Sequence, residues 1–162
     1  MKLARSLRLA IPLALLAAVL ACSDSNDVTG TGGALARLQV DAPDSAVSGQ
    51  AFNVDARALN VGVQGIHNGV VQITLPAPLF VNSTVASLGT SATFTNGVSG
   101  ASVTWTLNTL DSNTQSTLRV ETVGTLPAGS ASQTVRVLAS MTADGIAAGD
   151  AVAQKDVVLM PQ

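Results

Sequence analysis

The chain is poor in the residues that make reactive sites and stacking platforms. Its 162 residues include one cysteine, one histidine, one tryptophan and three phenylalanines, and no tyrosine. A single cysteine closes no disulfide within the chain, so stability has to come from an apolar core. One histidine and one cysteine fall short of the four nitrogen or sulfur ligands that a structural zinc ion takes. So few aromatics leave little from which to build an exposed sugar-binding platform, or the stacked surface that grips single-stranded nucleic acid. Glu121 is the only glutamate, and its place near Arg119 reads as surface charge rather than half of an acid–base pair. No Gly-x-Ser-x-Gly elbow carries a serine nucleophile. No apolar period of 3.6 residues persists long enough to mark amphipathic helices in the body of the chain.

What the chain does have, at its start, is three basic residues, Lys2, Arg5 and Arg8, then an uncharged stretch from Leu9 to Ala21 with five leucines. That stretch is short for a membrane helix, which needs roughly 20 apolar residues. A basic region, a short apolar helix and a small residue at its end describe a secretory signal peptide over residues 1–21. Val19-Leu20-Ala21-Cys22 resembles the lipobox of bacterial lipoproteins, with an aliphatic residue three places before the cysteine and alanine directly before it. The resemblance implies that Cys22 receives a diacylglyceryl group, becomes the first residue of the mature chain and is acylated again at its amino terminus. Two or three acyl chains hold a protein firmly, where one gives only marginal binding. Ser23 follows the cysteine where an aspartate would imply inner-membrane retention, so the expectation is export and lipid anchoring in the bacterial outer membrane.

Removing residues 1–21 takes away three of the eight Lys and Arg and none of the ten Asp and Glu. The remaining net charge of about −5 leaves no basic patch for nucleic acid. Residues 22–33, the lipidated cysteine and Ser23 to Gly33, are polar and glycine-rich, which is the composition of a flexible tether with a mean reach of roughly 18 Å.

From Ala34 onward the period is two. Ala36, Leu38 and Val40 alternate with Arg37, Gln39 and Asp41, and Phe52, Val54, Ala56 and Ala58 alternate with Asn53, Asp55 and Arg57. The same pattern recurs at Val71-x-Ile73-x-Leu75, Val103-x-Trp105-x-Leu107, Leu118-x-Val120 and Val135-x-Val137-x-Ala139. Each such run puts one face on a core and the other in water. Turn signals separate them at Asp44-Ser45, Ser48-Gly49, Asn68-Gly69, Asn96-Gly97, Asp111-Ser112-Asn113, Pro127-Ala128-Gly129 and Asp144-Gly145. The last run, Ala151 to Leu159, shifts phase around Lys155-Asp156, which suits a bulge or an edge strand. Residues 34–162 are therefore expected to form one all-β domain, an immunoglobulin-like antiparallel sandwich of seven to nine strands around Trp105.

Several short marks point the same way. Ser48-Gly49-Gln50, Asn60-Val61-Gly62, Leu75-Pro76 with Leu79-Phe80-Val81 beyond, and Val103-Thr104-Trp105-Thr106-Leu107 leading to Leu110 and the run Ser116 to Val123 lie in order between residues 45 and 159. With them the domain resembles the immunoglobulin-like repeat domain of unassigned function found in bacterial surface proteins. The resemblance implies a sandwich on the cell envelope.

The inventory of chemistry is short. His67 lies in Gly65-Ile66-His67-Asn68-Gly69 and reads as a turn residue, the one place around which a small hydrolase site would have to be built. Asp24, Asp27, Asp41, Asp44, Asp144 and Asp150 fall in or near expected loops without the alternating acids of a calcium loop. No catalytic residue, metal or cofactor site is expected, and Cys22 is the one assigned position, for lipidation. The reading is a non-catalytic binding, adhesive or structural module of the envelope. Its expected partners are the membrane, through lipid on Cys22, and a protein or cell-surface partner met by loops or an edge strand. The alternatives are an envelope hydrolase at His67 and a carbohydrate-binding or cohesin-like module. The latter is disfavoured because Phe52, Phe80, Phe94 and Trp105 read as inward.

Overall fold

The period-two runs become strands in the structure, a computed structural model that describes residues 28–29 and 35–162. The expected signal peptide, Cys22 and most of the expected tether lie outside the described residues. Among the described residues there are eleven strands: β1 (Val28–Thr29), β2 (Ala36–Asp41), β3 (Ser45–Val47), β4 (Ala51–Asn60), β5 (Ile66–Pro76), β6 (Leu79–Ala86), β7 (Ser91–Gly97), β8 (Gly100–Leu110), β9 (Gln115–Gly124), β10 (Gln133–Ala143) and β11 (Ile146–Met160). Nine of them have six residues or more. The two short ones, β1 and β3, fall where the sequence signals a tether and a turn.

Two sheets form, in the orders β1-β2-β4-β9-β6 and β3-β11-β10-β5-β8-β7. Every pairing is antiparallel except β3 with β11. The chain changes sheets between β2 and β3, across Ala42-Pro43-Asp44, so one segment of the chain serves both layers. This is an immunoglobulin-like β-sandwich.

The alternation is what places the core. Leu38, Val54, Ala56, Leu118 and Val120 from the first sheet face Val71, Ile73, Val103, Trp105, Val137 and Leu159 from the second, all buried. Each large aliphatic buried this way contributes about 1.5–3 kcal/mol. Many inner positions are alanine, including Ala36, Ala58, Ala101, Ala139, Ala151 and Ala153. Small side chains alone would leave voids, so the buried indole of Trp105 fills the volume that they cannot. Its Nε1 donates to Thr90 Oγ1 at 3.0 Å, and that hydroxyl donates to the Ser87 carbonyl at 2.8 Å. The core residue thereby fixes the loop between β6 and β7.

The phase shift expected near Lys155-Asp156 does not occur. Ala151, Ala153, Val157 and Leu159 stay buried on one face of β11, and its register with β10 runs unbroken from Gln133↔Leu159 to Met141↔Ala151. β3 pairs only with Val158–Met160, so most of β11 remains an edge, as expected. Lys155 takes its place in the inward row, and its long stem lets the ammonium reach Asp44 at 2.7 Å.

Candidate functional site

The strand pairings sort the loops into two ends. Ala36 opposes Asn60, Leu59 opposes Gln115, Ile66 opposes Leu110 and Ser91 opposes Thr106. The loops 61–65, 87–90 and 111–114 and the turn at Asp144-Gly145 therefore share one end, the end at which the chain enters β2. The cis Ala77–Pro78 bond, the 98–99 turn and the 125–132 loop lie at the other.

His67 is exposed as the second residue of strand β5, opposite Thr109, rather than in a turn. The expected turn signal at Asn68-Gly69 marks an irregularity in the β5–β8 register, where Asn68 takes φ 54°. Both structures need the same left-handed backbone, which Asn tolerates. The imidazole Nδ1 lies 3.4 Å from Thr109 Oγ1, its one described side-chain hydrogen bond. No aspartate or serine side chain joins it, so the hydrolase triad has no geometry here.

The loop aspartates are spent on local structure. Asp44 binds Lys155, Asp144 accepts from Asn68 Nδ2 at 2.9 Å, and Asp150 accepts from the Ala147 amide at 3.2 Å. Asp41 shares a shallow hollow of about 270 Å³ with Asn53 and Asp55. Among the described residues no three His, Cys, Asp or Glu gather around a common point. Asp24 and Asp27 lie outside the described residues.

The outer face of the first sheet carries a charged row. Asp41, Asp55, Arg119 and Val85 stand side by side on β2, β4, β9 and β6. Arg119 grips Asp55 with two parallel bonds, Nε at 2.8 Å and Nη2 at 3.2 Å. That hydrogen-bonded carboxylate raises the guanidinium pKa above its ordinary value. Beside the pair opens a hollow of about 390 Å³, lined by Arg57, Arg119, Val85, Ser87 and Thr117 among others. Thr117, opposite Arg57 in the register, is too short to fill the space above β9.

Of the five cations in the described residues, Arg119, Arg136 and Lys155 are in ion pairs. Arg37 and Arg57 are not. Both stand on this outer face near the chain-entry end, Arg37 opposite Leu59 and Arg57 opposite Gln39.

One open edge of the second sheet is β7, Ser-Ala-Thr-Phe-Thr-Asn-Gly. All its residues but Ala92 are exposed, and Phe94 is 39 % exposed. The expectation that Phe94 is inward is corrected here. It points along the core-facing row opposite Val103, but at an edge with no strand beyond it to cover the ring. Trp105 is buried and Phe52 packs partly against the core, so no aromatic platform forms. One point of this edge is fastened. The Asn96 side-chain amide donates to the Val81 carbonyl and accepts from the Val81 amide, both at 2.9 Å, across to β6.

No protein-family model matches the chain, and no curated protein matches it in sequence. Among solved structures, it is similar to a CARDB domain from Pyrococcus furiosus crystallised in complex with di-metal ions. The identity is 13% over 85% of this chain and 97% of that one, with a TM-score of 0.57. It is also similar to a cohesin module from a family 33 glycoside hydrolase of Clostridium perfringens ATCC13124. There the identity is 12% over 80% of this chain and 99% of that one, with a TM-score of 0.59. At these identities the likeness concerns the fold.

Proposed function

We propose that the chain is an exported, lipid-anchored sandwich that binds a protein partner at the bacterial envelope, without catalysis, by accepting a strand at β7. The observation that carries this is the edge itself. β7 is seven residues of unpaired rim, free of charge and of proline, and sheet edges lacking both devices are templates for another chain. Strand addition uses backbone hydrogen bonds for affinity and alternate side-chain positions for specificity. The fold is one found in modules, a CARDB domain and a cohesin module among them, and the lipobox at Cys22 supports the anchor.

Thr93 and Thr95 are exposed on the face of β7 away from the core, so lysine there blocks the edge while leaving the inner row intact. The double variant Thr93→Lys, Thr95→Lys is expected to keep its unfolding free energy within about 0.5 kcal/mol of the parent's and to lose the cross-linked partner that the parent captures in intact envelopes. Undiminished cross-linking sinks the β7 assignment. For the anchor, Cys22→Ser is expected to move the chain into the soluble fraction; a variant that still sediments with membranes in high salt refutes it.

A further inference from the structure

The distribution of charge over the sandwich bears on what β7 pairs with. Between Arg57 and Asp111 the sequence holds no Asp, Glu, Lys or Arg. That stretch supplies β5, β6, β7 and β8, so the side of the sandwich that ends in the edges β6 and β7 is neutral. The charged residues of the described chain stand on β2, β4, β9, β10 and β11 and in the loops that adjoin them. The neutral stretch also holds six large apolar side chains in water, Val61, Val63, Val85, Leu88, Phe94 and Val98. Two copies of an acidic molecule repel each other least where neither carries charge, and exposed apolar groups favour contact there.

The other edges are protected. β6 is interrupted at Asn82, where its register with β9 shifts, and the open length of β11 carries Asp150, Lys155 and Asp156. Bulges and charges of this kind keep foreign strands away. β7 has neither, and its register with β8 runs unbroken from Ser91 to Gly97.

Alternation restricts how two β7 strands can meet. Directly opposed residues on paired strands share one face of the sheet, so an antiparallel pair that continues both layers sets inward residues against inward ones. Ala92, Phe94 and Asn96 oppose the buried Trp105, Val103 and Ala101 and are the inward set; Ser91, Thr93, Thr95 and Gly97 are the outward set. The symmetric register centred on Phe94 meets this condition and uses all seven residues. It sets Phe94 against the second copy's Phe94 and Thr93 against the second copy's Thr95. Aromatic pairs and threonine pairs are both favourable across antiparallel strands, and the half-exposed Phe94 ring gains the cover that its own molecule does not supply. Reversal of strand direction also sets the Leu88 loop, which leads into β7, beside the Val98 turn that follows β7 in the other copy.

We propose that the strand accepted by β7 is β7 of a second copy, joined antiparallel about Phe94, so that two six-stranded sheets run on as one. The proposal rests on the preceding reading of β7 as a strand acceptor and names its partner. The contact is small: seven residues at about 3.4 Å each, with two layers about 10 Å apart, give roughly 500 Å² over both copies. Stable complexes bury about 1,200 Å² or more. Pairing is therefore reversible, and confinement of both copies to one surface raises their effective concentration.

The test uses the full chain, produced in bacterial cells as two differently tagged copies, one of them carrying Phe94→p-benzoylphenylalanine. Irradiation of intact cells is expected to join the two tags, with the link mapped by mass spectrometry to residues 91–97 of the second copy. With Thr93→Lys and Thr95→Lys in both copies the yield is expected to fall at least five-fold, because lysine then opposes lysine. A lysine copy paired with a Thr93→Glu, Thr95→Glu copy is expected to recover at least half of the parent yield. An unchanged yield with lysine in both copies, or no recovery with glutamate opposite, overturns the self-pairing. A link to a different protein also overturns it and leaves β7 a strand acceptor. No link to any other molecule overturns both readings.

Discussion

Gly100 shows how much a single residue can be asked to do. At φ +117° it would place a Cβ against the Leu75 carbonyl oxygen and 2.6 Å from the Ala77 amide nitrogen, both backbone atoms that cannot turn aside. Gly129 has a similar positive φ, +77°, but nothing within 4 Å. Gly129→Ala is expected to cost about 1 kcal/mol, the strain of the left-handed region. Gly100→Ala is expected to cost at least about 3 kcal/mol, because crowding adds to strain; urea midpoints compare them. Charge acts at this scale too. The hydrogen bond from Lys155 holds the Asp44 carboxyl below its ordinary 3.8, and that from Arg136 does the same for Asp156. A depressed carboxyl contributes its stabilisation above the unfolded pKa and loses it as pH falls through the lower folded one. The double variant Asp44→Asn, Asp156→Asn is therefore expected to lose less stability than the parent on acidification below pH about 4. The effect is small and fades in high salt, since all four groups are at the surface; acid titration of the melting temperature reads it.

The strands differ in how plainly the residues announced them. β4, β9 and β10 follow strict alternation, and β8 does so as far as Leu107, so their inward rows were legible position by position. β7 was not, because Thr-Phe-Thr-Asn at an edge alternates without burial, and nothing local distinguishes an edge from a loop. The Asn96-Gly97 pair read as a turn; the turn is the next pair, Val98-Ser99, and Asn96 itself clamps Val81. That pairing lies across two sheets and has no local signal at all. Asn96→Ala is expected to cost about 1–2 kcal/mol for the two bonds and to speed amide exchange at Val81, while amides of the β4–β9 ladder stay protected. Val63 and Leu88 carried one faint signal, an aliphatic residue flanked by glycine and polar residues in a loop, which is rare where burial drives placement.

For the whole molecule, the buried residues form one continuous cluster that draws on both sheets. With no disulfide to staple it, unfolding is expected to be a single cooperative transition whose midpoint is unchanged by dithiothreitol, followed by Trp105 fluorescence. A shift of the midpoint under reduction contradicts the core as the source of stability. Composition and alternation by themselves determined the class of fold, the inward residues of most long strands, the indole at the centre and the poverty of reactive groups. They could do so because burial on a pleated strand is a local property with a period of two. Which strands lie at the edges, that Lys155 keeps the inward phase, that the His67 imidazole bonds Thr109 and no acid or serine side chain, and that Val63, Leu88, Arg37 and Arg57 gather at the end where the chain enters were decided by tertiary structure. Those facts depend on which strands become neighbours, and strand order is set by contacts between residues far apart in the chain, which no local pattern records.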